Sequence, residues 1–432
     1  MTSQSNHKLT LPVAILININ IMLGTGIFVN TALLAKKAGA LGALGYSIVG
    51  LLMLPLVISI TRLLEIHPSG GFYIFGQKEI HPLAGFISAW TYFTGKLASA
   101  TFAIHTAVLL TQSVITSLNT INPLYLDAII LALFIALNML HIRTGGKIQT
   151  LFIVFKTIPI LFLLLVGSFF VQGANFTAPH LLWHGIPSIL PLVLFAIAGF
   201  EAACSISSNI ENARVNAPRA VLISYGTVIG IATLFQLIFY GIHGDLFNTF
   251  ADYRKAFPLF VQKVIPNLPR LQEVISGILH LGIAMSALGG SYGILFSNSW
   301  NLYTLARHHH VIGSSYLSRL NTYHIPWLCV LFEGLVGTLY IAITQGNQLP
   351  LQQMGALGSV TAYTISALSL WYACTNNRAA HIPSWLPLLG LTNCLMLTAS
   401  CLYNLYYSGP TSLILFSCLC FMGICMFFYT RE

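Results

Sequence analysis

Apolar runs of about twenty residues recur from one end of this 432-residue chain to the other, each long enough to cross the roughly 30 Å hydrocarbon core of a bilayer as a helix. In lipid a segment must satisfy its backbone hydrogen bonds internally, so such runs are confined to helices. Composition agrees. Only 7% of the residues are charged and 56% are hydrophobic, against about 25% charged in an average soluble domain. The polar side chains needed to cover a water-facing surface are missing, which excludes a soluble globular fold.

Hydropathy and breaker residues place twelve spans at about 11–35, 39–64, 83–113, 122–141, 148–171, 187–208, 216–243, 272–304, 325–344, 355–374, 384–406 and 411–429. Turn signals such as Asn122-Pro123, Gly145-Gly146 and Ile382-Pro383 close most of them. One long connection, about 244–271, carries Asp252, Arg254 and Lys255 and is expected to hold short surface helices.

An even number of spans puts both termini on one side. With the N-terminus inside, that face carries Lys8, Arg62, Lys78, Arg143, Lys147, Arg214, Arg219, Arg307, Arg319, Arg378 and Arg431. The other face has Lys36 and Lys37, plus Arg254, Lys255, Lys263 and Arg270 in the long loop, which counts least. The bias predicts cytoplasmic termini. The formal charge of +9 is scattered between apolar runs, as topology requires, and not clustered as nucleic-acid binding requires. The eight Cys fall mostly inside spans without paired Cys-x-x-Cys spacing, and read as small buried hydrophobes. Residues 1–10 are polar and the first apolar run is too long for a signal peptide, so no cleaved leader is expected.

Two spans are interrupted at corresponding places. Gly24-Thr25-Gly26 breaks span 1 and Ala198-Gly199 breaks span 6, roughly 175 residues later, the relation expected if spans 1–5 (about 11–171) and 6–10 (about 187–374) are inverted repeats. Spans 11 and 12 (about 384–429) are additional, and the whole chain forms one transmembrane domain. Unwinding inside the bilayer frees amides that suit a carboxylate and carbonyls that suit an ammonium group. Two facing breaks thus make a clamp for the charged ends of an amino acid. The competing explanation is tight helix packing through small residues.

These residues resemble the amino acid–polyamine–organocation (APC) superfamily of permeases. Gly24-Thr25-Gly26-Ile27-Phe28 is similar to its helix 1 signature, and Pro68-Ser69-Gly70-Gly71-Phe72-Tyr73 to the motif after helix 2, with one residue fewer before the Gly pair. Phe195-Ala196-Ile197-Ala198-Gly199-Phe200-Glu201 resembles the helix 6 break. Asn212, Asn216, Pro218, Arg219 and Ala220 match the segment that follows, whereas Asn209 and Ala213 depart from its usual acid and Pro. The resemblance implies that Thr25 and Gly26, at the head of the segment continued by Ile27, hold a substrate carboxylate. It also implies that the carbonyls of Met22, Phe195 and Ala198 accept from the ammonium group beside Gly199, with Phe195 shielding the pocket.

Charges inside a membrane are costly and read as functional. Lys156 lies mid-span in Phe155-Lys156-Thr157, too far from either end to snorkel comfortably. Desolvation favours a neutral amine, so such a lysine is able to gain and lose a proton near neutral pH. In similar permeases a Lys here replaces the cation of a sodium site between helices 1 and 8. The resemblance therefore implies sodium independence, with Lys156 a proton carrier or a fixed positive strut. Glu201 follows the second break, where relatives gate or sense protons; hydrogen bonding to freed amides is the plainer alternative. The resemblance aligns Lys96 with a pocket-facing helix 3 position in similar exchangers, and it is expected to pair with Glu201 or to contact substrate.

Other polar residues carry less. His308-His309-His310 lacks the partners of a metal site. His105, His141 and His280 suit interhelical hydrogen bonds better than a proton relay. Asn175-Phe176-Thr177 is a sequon too short to carry weight. Glu333 is an intramembrane acid with no assigned role.

The chain thus reads as an all-α integral membrane protein of twelve helices, working as a secondary transporter of amino acids or related amines by alternating access. Proton symport, exchange and export stay open, with a weak lean towards a neutral substrate and no statement of oligomeric state. No cofactor, metal or nucleic acid is implied; the lipid bilayer and substrate are the expected partners, with protons a candidate coupling ion. A membrane-embedded enzyme would need a catalytic motif and a primary pump a P-loop, and neither is present. A sensor built on a transporter fold is the third possibility.

Overall fold

The computed structural model describes residues 8–68, 70–140, 142–177, 181–244, 246, 252–379 and 382–430. Ser69, His141 and Arg431 lie outside the described residues, as does the side chain of Arg143.

Span 1 is split into α1 (Leu11–Met22) and α2 (Gly26–Ala38), followed by α3 (Leu41–Ile66), the short α4 (Phe72–Glu79), α5 (Pro82–Val114), α6 (Pro123–Asn138) and α7 (Ile142–Val166). Span 6 is split into α8 (Ile186–Ile197) and α9 (Ala202–Ser205). Then come α10 (Ala213–His243), α11 (Tyr253–Val264), α12 (Pro269–Arg307), α13 (Ser314–Leu317), α14 (Trp327–Thr344), α15 (Gln348–Thr375), α16 (Trp385–Ser408) and α17 (Pro410–Tyr429). The described helices form twelve spans in the expected order.

Several starts follow from local chemistry. Pro82 and Pro123 open α5 and α6 at positions where a missing N–H costs nothing. The His81 and Asn122 side chains accept from Leu83 N and Leu124 N at 3.2 and 3.0 Å, satisfying a freed first-turn amide. In the long connection α11 is the expected surface helix, capped by Asp252, which accepts from Arg254 N at 2.9 Å. Partial burial pushes the Asp252 carboxyl up, but the Arg254 side chain and N–H outweigh it and hold it below the usual carboxylate range.

Nine stretches among the described residues are long and apolar enough to cross a membrane, and Pro123–Asn138 and Trp183–Ile197 are shorter apolar helices. The remaining span, α15, carries Gln352, Ser359, Ser366 and Ser369 and buries all of them. Those residues explain why hydropathy put its start near 355, whereas the helix begins at Gln348. Leu51, Leu335 and Phe421 are 70%, 68% and 68% exposed, a cost in water and a requirement in lipid.

Packing repeats with a period of five spans. The halves of the two broken spans meet, α2 with α8 and α1 with α9; beyond them α3 packs on α10, α5 on α12 and α6 on α14. Off-diagonal pairs are mirrored too, α5–α15 by α12–α7 and α1–α10 by α8–α3. This is the inverted-repeat bundle, with α16 laid against α3, α8 and α15, and α17 against α5 and α15. One end of the bundle carries Leu9, whose N–H donates to Asn209 O at 2.8 Å while its carbonyl accepts from Glu211 N at 2.9 Å. We refer to it as the Leu9 face.

Candidate substrate site between the broken helices

The break in span 1 runs over Leu23, Gly24 and Thr25, and its freed carbonyls find protein donors. Lys156 Nζ, from α7, donates to Asn20 O and Leu23 O at 2.7 Å each. Ser286 Oγ, from α12, donates to Leu23 O at 2.7 Å and Gly24 O at 3.2 Å. Lys156 is 1% exposed, and its protonated form is balanced by carbonyl dipoles at the end of a half-helix, where a cation is favoured. Asn20 Nδ2 donates to Gly289 O at 3.1 Å and also to Gln149 Oε1, tying α1 to α7 and α12.

The second break, Ala198 to Glu201, is stitched by two side chains. Asn18 of α1 donates to Phe200 O at 2.7 Å and accepts from Ala203 N at 3.0 Å. Glu201 accepts from Gly199 N at 2.7 Å, from Tyr92 Oη at 2.9 Å, and lies 2.8 Å from Lys96 Nζ. Lys96 sits 5.3 Å from the centre of the Tyr92 ring, and Tyr363 borders the same carboxylate. Both members of the Lys96–Glu201 pair are buried. Such a pair holds its geometry because neither charge tolerates losing the other.

The breaks also depend on close backbone approach. A Cβ on Gly26 would lie 2.5 Å from Ala196 Cα, so only glycine lets α2 meet α8 here. Gly199 has φ +137°, and a Cβ there would lie 2.6 Å from Ile21 Cγ2 and 3.1 Å from Met22 N. Gly199→Ala therefore combines backbone strain of about 1–3 kcal/mol with a clash. The expected result is a lower thermal midpoint of the purified protein in detergent; an unchanged midpoint would mean that the break relaxes without cost.

Between the two breaks lies a cavity of about 20 Å³, lined by Met22, Gly24, Thr25, Gly26, Lys96, Ser99, Phe195, Ala198, Gly290 and Ile294 among others. It has room for about one water molecule. On one side Phe195 packs edge-on against Phe102, with ring centres 5.7 Å apart. Towards the Leu9 face, Phe72 lies 4.6 Å from Tyr92 and Phe200 lies 5.5 Å from Tyr363. Beyond that layer a larger cavity of about 300 Å³ is bounded by α4, α9 and the last turns of α12, with Tyr73, Ser205, Asn301, Arg307 and His308 in its wall.

Of the residues singled out from sequence, Met22, Thr25, Gly26, Lys96, Phe195 and Ala198 line the small cavity together. Ile27, Gly199, Lys156 and Glu201 do not; they are buried around it and hold its walls. Sequence reading passed over Asn18 and Asn20, although two amides in the apolar run Leu16-Ile17-Asn18-Ile19-Asn20-Ile21 are a signal for interhelical bonding. It also passed over Tyr92, Ser286 and the lining residues Ser99, Gly290 and Ile294. Among the other polar residues, His105 Nδ1 meets Asp127 Oδ2 at 2.7 Å, His280 meets Ser113 at 3.3 Å and His310 meets Tyr73 Oη at 2.6 Å. Asn175 Nδ2 donates to Gly241 O at 2.7 Å.

A family model described as "Amino acid permease" matches residues 9–432. The chain belongs to the amino acid permease family. This places it in the APC superfamily, among permeases and not enzymes, as a multi-pass membrane transporter. Relatives of this permease include the branched-chain amino acid permease BcaP of Bacillus subtilis, 23% identical over 82% of this chain and 78% of that protein. The L-asparagine permease of Escherichia coli is 22% identical over 87% and 80%. The low-affinity putrescine importer PlaP of the same species is 22% identical over 73% and 70%. Among solved structures, a manganese transporter of Eremococcus coleocola superposes with a TM-score of 0.62 at 14% identity, covering 98% of this chain and 93% of that one. That likeness speaks for the fold alone.

Proposed function

We propose that this permease carries a neutral amino acid by alternating access, independently of sodium, with protons as the coupling ion or with exchange of one substrate for another. The observation that carries the reading is the Lys156 ammonium on Asn20 O and Leu23 O, with Ser286 on the same Leu23 carbonyl. A charge already fills the position between the broken helix and α12, where a dissociable cation would otherwise be needed. In this reading the first-turn amides at Thr25, Gly26 and Ile27 take the substrate carboxylate. The carbonyls of Met22, Phe195 and Ala198 take its ammonium group beside Gly199. Lys156 and Glu201 couple and gate.

The small cavity argues for a zwitterion over a diamine. Among the described residues its only charged lining side chain is Lys96, and the nearby acid, Glu201, is already neutralised by that lysine. A diamine would need an uncommitted carboxylate. Repeats dividing between about 171 and 187, and termini on the cytoplasmic side of the cell membrane, complete the proposal. The charge bias in the loops supports that orientation.

The test is uptake and counterflow of a labelled panel of amino acids and diamines in proteoliposomes, with and without a proton gradient and with and without sodium. Gradient-stimulated uptake of a neutral amino acid, unchanged by sodium, is expected. Sodium-dependent uptake would overturn the assignment of Lys156, and flux of diamines alone would overturn the substrate class.

A further inference from the structure

Glu333 lies in the second turn of α14, 0% exposed, and neither carboxylate oxygen makes a well-formed hydrogen bond among the described residues, with the Asn298 amide facing it. No basic side chain pairs with it in that set; Lys96, the buried cation of α5, is engaged by Glu201. From α12 the facing polar group is the Asn298 amide. From α5 come Phe93, stacked 6.1 Å from Phe332, and Thr94, whose carbonyl accepts from Tyr340 Oη at 3.1 Å. From α6 come Ile135 and Leu131, packed on Gly334 and Gly337. On α14 itself the Cys329 thiol lies nearby and donates to Leu317 O of α13 at 3.3 Å.

Asn298 is the inner end of a ladder. Its Nδ2 donates to Phe93 O at 3.0 Å and its Oδ1 accepts from Asn301 Nδ2 at 3.1 Å. Asn301 Oδ1 in turn accepts from Ser205 Oγ at 3.0 Å. Ser205 belongs to α9, the half-helix after the second break, and lines the 300 Å³ cavity with Asn301. An acid buried without a countercharge thus faces a hydrogen-bonded line that ends on a half-helix bordering that cavity.

We propose that Glu333 is a proton-binding site distinct from Lys156, filled from the cavity at the Leu9 face, and that its occupancy sets the grip of the Asn298–Asn301–Ser205 ladder on α9. A carboxylate accepts only and draws the Asn298 N–H groups towards itself; a carboxylic acid also donates. Taking up one proton from cavity water on a Glu333 oxygen, and returning it by the same route, switches the demand on Asn298 between the two. Because each amide in the ladder holds its neighbour in one orientation, that switch is felt at Ser205. Its part in coupling rests on the proton-coupled reading above, but the site itself does not.

Two measurements on the ligand-free, lipid-reconstituted protein test it. The first is the infrared carbonyl band of a neutral carboxylic acid, titrated with pH. The second is hydrogen exchange of residues 202–209 across the same pH range, corrected for intrinsic rates. The wild type is expected to show the band and an exchange response with a shared midpoint; Glu333→Gln should lose both. Asn298→Ala should keep the band, with a shifted midpoint, and lose the exchange response. A band that survives in Glu333→Gln overturns the site. Loss of the band with an unaltered exchange response overturns the link to α9. If both survive their tests while wild-type uptake ignores a proton gradient, only the proton-coupled reading of the function falls.

Discussion

Uptake by Lys156→Ala should fall about five- to 150-fold. Removing the ammonium strands the Asn20 carbonyl in a dry interior, whereas Leu23 O keeps its bond from Ser286. A buried group left unsatisfied costs about 1–3 kcal/mol, and every 1.4 kcal/mol is a factor of ten. The loss falls on the break itself, so both the thermal midpoint and substrate uptake should drop. Lys156→Arg separates the two roles open to this residue. Arginine keeps a fixed charge but does not release its proton. Counterflow retained without gradient stimulation would identify Lys156 as the proton carrier, and full retention of both would make it a strut. Normal uptake by Lys156→Ala would remove the residue from the transport cycle.

The second large effect is expected at the Lys96–Glu201 pair, through a double-mutant cycle. Removing one partner of a buried ion pair typically costs about 3–5 kcal/mol, because the other charge is left without compensation. Lys96→Met leaves the Glu201 carboxylate with neutral partners, among them Gly199 N and Tyr92 Oη, and no cation. Glu201→Gln leaves a buried ammonium against the Tyr92 ring. The double variant Lys96→Met/Glu201→Gln removes both charges and should recover most of the loss. Thermal stability is the first readout. Substrate affinity is the second, since Lys96 also lines the small cavity. Additive losses in the double variant would show that the two charges do not depend on one another.

What could be read from the sequence follows from the lengths over which each signal acts. Apolar runs and breaker residues announce whole spans, and Gly24-Thr25-Gly26 and Ala198-Gly199 mark both interruptions, because unwinding leaves a mark in adjacent residues. The short α4 was not legible, since eight residues between turns carry little periodicity. Nor was the early start of α15, whose Gln352 and serines look like loop until the neighbouring helices that bury them are known. The site was legible by position more than by contact. Lys96 could pair with Glu201 or face the substrate; the 2.8 Å separation shows the pairing, and the same side chain lines the small cavity. Asn18 bonds groups about 180 residues away, at Phe200 and Ala203, a relation that no local pattern encodes.

The cation in the first break is covalently tethered, and that bears on membrane voltage. A sodium ion would enter and leave with each cycle and carry its charge across the field. Lys156 stays with the protein, so on the proposed mechanism a zwitterionic substrate brings no net charge and only protons carry current. One proton per cycle would let a potential of 100 mV contribute about 2.3 kcal/mol to accumulation. Pure exchange of one zwitterion for another would be electrically silent.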